Sequence, residues 1–296
     1  MSKVILVTGA NRGIGHGIVR RLIARAPPRP SSEEEPHTNG ANGANGVNGS
    51  NGVNGANGAN GVNGAGRAKG RPWTIIVACR SRQTAVETIQ KLNEEENQAG
   101  HATLEPLEIE LDSDTSIDIA RREVEERFGR LDVLINNAGR VERINEESSN
   151  VRAHYVDTFN TNVAGVLMIM NAFLPLLEQS VDSSAENEVR IINVSSLTGS
   201  LNFAANTPFQ LTDQIGYSVS KAALNRLTIE YAKLHPKVTF YCLCPGHCKT
   251  SLNRYEGWKD PFDGARVVEE FVVAEKGQYP FGFYAHEDGK VVTHNW

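Results

Sequence analysis

The sequence predicts an α/β fold built on a doubly wound parallel sheet, and the order of its apolar segments carries this prediction. Short apolar segments with the composition of strands alternate along the chain with amphipathic segments of helical period. Such alternation is typical of a parallel sheet that is covered by helices on both faces. Crossovers between parallel strands are right-handed, which leads to a doubly wound sheet. The chain has 296 residues, and this length allows one large domain or two small ones.

Each element is predicted from its own pattern. Apolar runs predict six strands, at Val4–Val7, Trp73–Ala78, Leu104–Leu111, Leu131–Ile135, Val189–Val194 and Val238–Leu243. Apolar residues at helical spacing predict a first helix that contains Ile14, Ile18, Leu22 and Ile23 and that ends before Pro27 and Pro28. Further helices are predicted at Thr84–Glu96, Ile117–Phe128, Tyr155–Leu177 and Tyr217–Leu234.

Residues 29–71 interrupt this pattern between the first helix and the second strand. They contain nine Asn-Gly pairs at a period of three, from Asn39 to Gly64. No proline lies between Asn39 and Gly64, which argues against a collagen helix, and the absence of flanking strand residues argues against hairpins. With little apolar surface to offset the ordering entropy, the tract is predicted to be a disordered surface insertion within a single domain that spans residues 1–296.

An alternative hypothesis makes the tract a segment that recruits a partner, which deletion of residues 31–70 would test. Without the tract about 250 residues remain, enough to bury one large core.

Charge and hydropathy exclude several classes of protein. The net charge is −5, and no cluster of basic residues indicates nucleic-acid binding. No uninterrupted apolar run approaches the ~20 residues of a membrane span. The apolar run at the N-terminus is too short for a signal peptide, so we expect a cytoplasmic protein. The four cysteines, Cys79, Cys242, Cys244 and Cys248, are then expected to be reduced thiols.

A glycine-rich turn follows the first strand and opens the first helix. Gly9, Gly13 and Gly15 have the spacing G-x-x-x-G-x-G. Glycines let the backbone approach a pyrophosphate closely, and the helix N-terminus supplies free N–H groups. The alternative is a turn without a ligand. The residues expected to bind a dinucleotide here are Gly9, Asn11, Arg12, Gly13, Ile14 and Gly15.

The end of the second strand bears on the choice of nicotinamide cofactor. An acidic residue there favours NAD, whereas an arginine suits the 2′-phosphate of NADP. The strand is followed by Arg80 and Arg82 without an acid, and Arg12 lies in the glycine turn. A guanidinium matches the geometry of a phosphate. The sequence therefore predicts NADP(H) as the cofactor, with solvated arginines at a helix start as the alternative.

Tyr217 and Lys221 are four residues apart on a predicted helix and share one face. A free tyrosine has a pKa near ~10, and a neighbouring ammonium is expected to lower it. Tyr217 could then exchange a proton with a substrate oxygen near neutral pH. Taken alone, the pair is also compatible with an ordinary surface contact.

Together with two further segments, these motifs resemble those of the short-chain dehydrogenase/reductase family. The motifs are Thr8–Gly15, Asn136–Gly139, Tyr217–Lys221, and Pro245-Gly246 with Thr250. They occur in the family's order and cover nearly the whole chain outside the insertion. The segment from Asp263 to Trp296 resembles the carbonyl reductase branch more loosely. The resemblance implies a Rossmann fold.

The resemblance also implies a function and assigns roles to residues. It implies NADPH-dependent reduction of a carbonyl, an aldehyde, ketone or quinone, to an alcohol, with Tyr217 as proton donor. Ser196 would orient the substrate oxygen, Asn162 would hold a water linked to Lys221, and Lys221 would also bind the nicotinamide ribose. The further residues that it places at the cofactor are Asp112, Asn136, Ala138, Gly139, Pro245, Gly246 and Thr250.

Other features leave alternatives open. Cys242, Cys244, His247 and Cys248 are close in sequence, but they lack the paired spacing of a zinc site, so no metal is expected. His247 could line the substrate pocket or lie exposed on a loop. Leu252–Asp263 is expected to form a lid, with an apolar wall from Tyr255, Trp258 and Phe262.

Two other functions remain possible on the same fold: an alcohol dehydrogenase working oxidatively, and a non-catalytic NADP-binding sensor. The substrate and the oligomeric state, monomer or homo-oligomer, stay open.

Overall fold

The computed structural model describes residues 3–27, 72–95, 102–143, 149–183, 188–208 and 214–296. The predicted disordered insertion at 29–71 lies outside the described residues.

The described residues form one eight-stranded sheet in the order β3-β2-β1-β4-β5-β6-β7-β8. Seven strands are parallel, and β8 pairs with β7 in the antiparallel direction. The order reverses beside β1, which confirms the predicted doubly wound, Rossmann-like fold. The strands are β1 (Val4–Thr8), β2 (Trp73–Cys79), β3 (Ala102–Glu108), β4 (Val133–Asn136), β5 (Arg190–Val194), β6 (Thr239–Cys244), β7 (Gly282–Glu287) and β8 (Lys290–His294).

Helices cover both faces of this sheet. They are α1 (Gly13–Arg25), α2 (Arg82–Glu95), α3 (Asp114–Phe128), α4 (Val151–Phe159), α5 (Val166–Ser183), α6 (Leu201–Asn206), α7 (Ile215–Leu234), α8 (Pro261–Gly264) and α9 (Arg266–Val273). Short irregular turns complete the list: a π-helical turn at Asn160–Gly165 and 3-10 turns at Leu197–Gly199 and Ser251–Asn253.

The pleat of β1 divides its side chains between two apolar layers. Ile5 and Val7 belong to the layer beneath α1, α2 and α9. Val4 and Leu6 belong to the layer beneath α3, α5 and α7. All five residues of β1 are buried. A strand buried on both faces explains why its sequence is a continuous apolar run and not an alternating one.

Local hydrogen bonds set the ends of the elements and explain why some predicted ends were wrong. Ser113 caps α3 by accepting a hydrogen bond from the Ser116 N–H, so α3 begins three residues before the predicted start at Ile117. Gly129 ends α3 in the left-handed conformation, with φ of 65°. The strand predicted to reach Leu111 ends as β3 at Glu108.

The helix predicted at Tyr155–Leu177 is longer and is interrupted. It runs from Val151 to Ser183, and the π-helical turn separates α4 from α5. By length and mean hydropathy, the segment Val151–Val181 could cross a membrane, which the search for uninterrupted apolar runs did not predict. Core helices of soluble proteins have the same character, and 56% of the apolar window is buried inside the fold.

The C-terminal part of the chain forms α9, β7 and β8, for which the sequence predicted no elements. Phe283 and Ala285 of β7 are buried with Cys242 and Cys244 of β6. The sheet is thereby extended beyond β6. Because the carboxyl ends of β1, β4, β5, β6 and β7 lie at one edge, their following loops meet there.

Arg190, at the start of β5, is a fully buried cation at the opposite edge of the sheet. Its side chain is 2% exposed and pairs with Glu188 at 2.6 Å. Its guanidinium also donates to the carbonyl oxygens of Phe271 and Ala274. The residue therefore joins β5 to the end of α9.

We predict that Arg190→Leu lowers the free energy of unfolding by about 3 to 5 kcal/mol, because Glu188 and two carbonyl groups lose a buried partner. Urea unfolding measures this change. The matched control is Arg226→Leu, which removes a 75% exposed arginine paired with Glu230 at 2.7 Å and should change stability by less than about 1 kcal/mol. Equal effects of the two substitutions would contradict the assignment.

Candidate active site

The glycine turn brings the backbones of two loops into direct contact. Gly9 and Gly13 have φ of +63° and +56°, in the region that favours glycine. A Cβ on Gly9 would lie 2.9 Å from the Cα of Ala138, and one on Gly15 would lie 2.2 Å from the carbonyl oxygen of Gly9. Neither position has room for a side chain, so the turn needs glycine.

The start of α1 leaves backbone donors available. Arg12 is the N-cap residue, and its side chain makes no capping hydrogen bond. The first N–H groups of a helix need an outside acceptor, and the helix dipole favours an anion there. The glycine turn lets the backbone come close to a ligand, and the uncapped helix start offers it free N–H groups. Both features therefore fit the pyrophosphate of a dinucleotide.

Thr8 and Asn137 connect this turn to the loop after β4. The Thr8 hydroxyl accepts hydrogen bonds from the backbone N–H groups of Asn137 at 3.0 Å and Ala138 at 3.1 Å. The Asn137 side chain donates to the carbonyl oxygens of Thr8 at 2.9 Å and Gly9 at 3.2 Å. Sequence reasoning did not single out Asn137, although it lies in the quoted segment Asn136–Gly139.

The structure places the side chain of Asn136 in the core. It is 2% exposed and donates to the side-chain oxygen of Asn193 at 2.8 Å. Asn136 does not line the cavity, which is lined by Asn137, Ala138 and Gly139. The position of the Asn136 side chain does not support the expectation that it borders the adenosine, because strand alternation turns it to the same face of the sheet as Leu134, in the layer beneath α5 and α7.

A cavity of about 1640 Å³ opens at the carboxyl edge of the sheet. Most of the residues predicted for the site lie in its wall, whereas Asn136 and Asn162 do not. Those in the wall are Gly9, Asn11, Arg12, Gly13, Ile14, Gly15, Arg80, Asp112, Ala138, Gly139, Ser196, Tyr217, Lys221, Pro245, Gly246 and Thr250.

The two arginines after β2 have different surroundings. Arg82 is paired with Glu123 at 2.9 Å and does not line the cavity. Arg80 is exposed, lines the cavity, and forms no ion pair with any residue in the described part of the chain. Further along the wall, Asp112 accepts a hydrogen bond from the Thr161 hydroxyl at 2.8 Å.

Helix α7 presents Tyr217 and Lys221 to the cavity from consecutive turns. Lys221 is 5% exposed, and its Nζ donates to the carbonyl oxygen of Val194 at 2.8 Å. The same Nζ lies 5.7 Å from the centroid of the Tyr217 ring. Burial lowers the pKa of Lys221 from 10.5 to about 8, because the ammonium loses its hydration.

The expected lowering of the pKa of Tyr217 is wrong for this structure. Burial raises that pKa above its ordinary value, although an interaction with Ser196 partly offsets the rise. Loss of hydration disfavours the phenolate more than nearby groups stabilise it. Tyr217 is therefore a neutral phenol that still carries its proton at physiological pH.

Ser196 begins the 3-10 turn that follows β5. Its hydroxyl oxygen accepts a hydrogen bond from the backbone N–H of Thr198 and lies 2.9 Å from the Thr198 hydroxyl. A Cβ on Gly199 would lie 2.7 Å from backbone and Cβ atoms of Lys221. The turn therefore rests directly on α7 and places Ser196 beside Tyr217.

Asn225 attaches the same turn to α7 by a second route. It accepts from the Ser195 hydroxyl at 2.6 Å and donates to the carbonyl oxygen of Gly199 at 3.2 Å. The hydroxyl of Ser195 is thus engaged with α7. The hydroxyl of Ser196, the serine that the family resemblance indicates, is the one held beside Tyr217.

Asn162 lies in the π-helical turn and is fully buried. Its side-chain oxygen accepts from the Arg140 N–H at 2.8 Å, and its amide donates to the Arg140 carbonyl at 2.8 Å and to Ser220 at 3.0 Å. The side chain therefore fixes the loop after β4 to α7, and the water that is expected to link Asn162 to Lys221 stays a prediction.

The thiols and the lid complete the site. Cys242, Cys244 and Cys248 are free and buried, and burial raises the pKa of Cys242 to about 12. In the part of the chain that the structure describes, no three His, Cys, Asp or Glu side chains come together as metal ligands. His247 is exposed and lines the cavity, and its ring centroid lies 4.7 Å from that of Trp258.

The predicted apolar wall of the lid is only partly present. Trp258 lines the cavity, but Tyr255 and Phe262 do not. Phe262 is held on α1 instead, where the guanidinium of Arg21 lies 4.0 Å from its ring centroid. A cation over an aromatic face is attracted by the ring quadrupole, which explains why this residue points away from the substrate side.

The fold and the cavity define a dinucleotide-binding α/β protein with a tyrosine and a lysine in the cavity wall. A family model described as short chain dehydrogenase matches residues 53–260. A short-chain dehydrogenase of Penicillium roqueforti, anuI, is 32% identical over 76% of this chain and 88% of its own length. Salutaridine reductase of Papaver bracteatum is 26% identical over 71% of this chain and 85% of its own length.

Among solved structures, the NADPH-bound carbonyl reductase from chicken fatty liver superposes with a TM-score of 0.67. It is 24% identical and covers 100% of this chain and 99% of its own. At this identity the likeness shows the fold. The family match and the fungal relative show more: the chain belongs to the short-chain dehydrogenase family of oxidoreductases, whose fold binds a nicotinamide dinucleotide.

The pKa of Lys221 predicts how stability depends on pH. Between pH 8 and 10.5 the folded protein binds fewer protons at Lys221 than the unfolded chain, because the pKa falls from 10.5 to about 8 on folding. Stability relative to Lys221→Met should therefore rise with pH in this window, by about 2 kcal/mol from pH 8 to 10.

Urea unfolding at several pH values measures that difference. Lys91→Met is the matched control, because Lys91 is 65% exposed and its removal should give no such slope. A stability difference between the wild type and Lys221→Met that does not vary from pH 8 to 10 would show that the ammonium is not destabilised by burial.

Proposed function

We propose that this protein reduces a carbonyl group, in an aldehyde, ketone or quinone, to an alcohol with NADPH, and that Tyr217 donates the proton. The observation that carries the proposal is the convergence of three groups in one wall of the cavity. The Ser196 and Tyr217 hydroxyls and the Lys221 ammonium come from two elements held together at Gly199. A non-catalytic nucleotide sensor has no need for all three.

The glycine turn and the uncapped start of α1 fit the pyrophosphate. The same cavity extends from this turn to Tyr217. When bound, the reduced nicotinamide supplies a hydride, two electrons and one proton, to the carbonyl carbon. The C=O π bond breaks, and the carbonyl oxygen becomes an alcohol oxygen by taking the phenolic proton of Tyr217. Ser196 donates a hydrogen bond to that oxygen as negative charge develops on it.

The protonation states of Tyr217 and Lys221 suit the reaction in the direction of carbonyl reduction. A phenol with a raised pKa is present as the acid, which a proton donor must be. Once the proton has left, the phenolate ring has a cation near it, because the Lys221 ammonium lies 5.7 Å from the ring centroid. With its pKa of about 8, Lys221 is still charged at neutral pH and stabilises the phenolate until a proton returns from solvent.

Two arginines in the cavity wall support NADPH over NADH as the cofactor. Arg80 is exposed in the cavity wall at the end of β2, and Arg12 lies in the glycine turn. Neither forms an ion pair with the residues that the structure describes. A guanidinium in this position can bind the 2′-phosphate with two hydrogen bonds, and the residues directly after β2, Arg80-Ser81-Arg82, include no acid that would bind a ribose hydroxyl.

The arginines give a test of cofactor preference. Arg80→Gln should raise the KM for NADPH about 10- to 100-fold and change that for NADH little, because one charge-assisted phosphate contact is lost. Arg82→Gln is the matched control, since Arg82 is bound to Glu123 outside the cavity. Initial rates with both cofactors measure the ratio. Unchanged NADPH kinetics in Arg80→Gln would contradict the preference.

The proton donor is tested by Tyr217→Phe. This change should reduce turnover at least about 1000-fold, because Tyr217 is the one tyrosine in the cavity wall among the residues that the structure describes, and it should leave NADPH binding unchanged. NADPH oxidation with a panel of aldehydes, ketones and quinones measures turnover, and NADPH fluorescence measures binding. Tyr231→Phe is the matched control on the same helix, because the Tyr231 hydroxyl is bonded to Asn171. Wild-type activity in Tyr217→Phe would exclude the assignment.

A further inference from the structure

We propose that Thr198 is a positioning residue, whose hydroxyl donates to Ser196 and thereby turns the Ser196 proton toward the substrate oxygen. The inference rests on the proposed function and deepens it. It concerns a residue of the 3-10 turn that neither the motif resemblance nor the strand and helix pattern singles out. Both hydroxyls lie in the wall of the cavity.

The contacts of Ser196 restrict the direction in which its hydroxyl proton can point. A hydroxyl group has one proton to donate and two lone pairs that accept. One lone pair of Ser196 accepts the backbone N–H of Thr198 at 3.3 Å. Its oxygen also lies 2.9 Å from the Thr198 hydroxyl, at a distance where either group can be the donor. The direction of that second hydrogen bond decides where the Ser196 proton points.

If Thr198 donates, both lone pairs of Ser196 are filled, and its proton is available to the groups on the cavity side, which are Tyr217 and the carbonyl oxygen. If Ser196 donates to Thr198, its proton is used within the turn, and the substrate oxygen loses a donor. Among the residues that the structure describes, the Thr198 hydroxyl has Ser196 as its hydrogen-bond partner. With a carbonyl oxygen in place, donation by Thr198 gives one more hydrogen bond than the reverse direction.

The turn holds this pair rigidly. The Thr198 N–H is fixed because Ser196 caps the turn, and the turn is fixed on α7 by Gly199 and Asn225. A β-branched side chain has few rotamers, so the hydroxyl of Thr198 stays near its partner. Backbone and side chain of one residue thus occupy both acceptor sites of Ser196.

The test is a double-mutant cycle in which Ser196→Ala removes the group on which Thr198 acts. Thr198→Val keeps the shape of the side chain and removes the hydroxyl, and Thr198→Ser keeps the hydroxyl. The measured quantity is kcat for NADPH-dependent reduction of 4-nitrobenzaldehyde, with NADPH binding followed by fluorescence. Thr198→Val should lower kcat about tenfold, the scale of one hydrogen bond, and leave NADPH binding within twofold.

Thr198→Ser should restore kcat to within about threefold of wild type, as expected if the hydroxyl and not the methyl group matters. In the Ser196→Ala background, Thr198→Val should change kcat by less than about twofold, because its target is gone. A structural role would lower kcat equally in both backgrounds. Circular dichroism checks the folding of each variant. If the Thr198→Val variant does not fold, Thr198→Ala replaces it.

The outcomes separate this inference from the proposed function. If the wild type oxidises NADPH with the aldehyde but Thr198→Val does so equally well, the inference is wrong and the proposed function stands. The same conclusion follows if the two substitutions are additive or if Thr198→Ser is as impaired as Thr198→Val. If wild type reduces no aldehyde, ketone or quinone, the proposed function fails, and this inference fails with it.

Discussion

The contact between the glycine turn and the loop after β4 is the constraint on which the site depends. A Cβ on Gly9 would lie 2.9 Å from the Cα of Ala138 in that loop, so a single methyl group would not fit. The same contact lets Thr8 and Asn137 bond across from β1 to the loop after β4. These two strands are neighbours at the reversal of the sheet, where open α/β sheets bind ligands. The cofactor-binding surface is thus made by backbone packing, with side chains supporting it from behind.

A second contact of the same kind places the polar groups. Gly199 allows the 3-10 turn to lie on the backbone of α7 at Lys221, and Asn225 bonds to both ends of that turn. The geometry between Ser196 and the α7 residues is therefore set by main-chain contact over a few ångströms. A site positioned in this way is rigid without the cofactor, which reduces the entropy lost when reactants are brought together.

The sequence predicted those parts of the fold that depend on local pattern. Six strands came from apolar runs, whereas the choice of Ser196 came from the family resemblance. The π-helical turn at Asn162 was not predictable, since its bonds to Arg140 and Ser220 join residues far apart in sequence. The predicted location of Phe262 in the wall of the lid was also wrong, because Arg21, which is far away in sequence, holds its ring on α1. The predicted shift of the pKa of Tyr217 had the wrong direction, because spacing on a helix reveals a neighbouring charge but not the loss of hydration on burial.

That loss of water explains how the two α7 residues act as a pair. Burial disfavours the phenolate of Tyr217 and the ammonium of Lys221 alike, which raises one pKa and lowers the other. Each charge is unfavourable by itself, and opposite charges attract more strongly across a medium of low polarity. In the proposed reaction, proton donation by Tyr217 would therefore depend on Lys221 being charged when the phenolate forms. A fully hydrated pair would lack this dependence, so the enclosed position of both residues matters as much as their spacing on the helix.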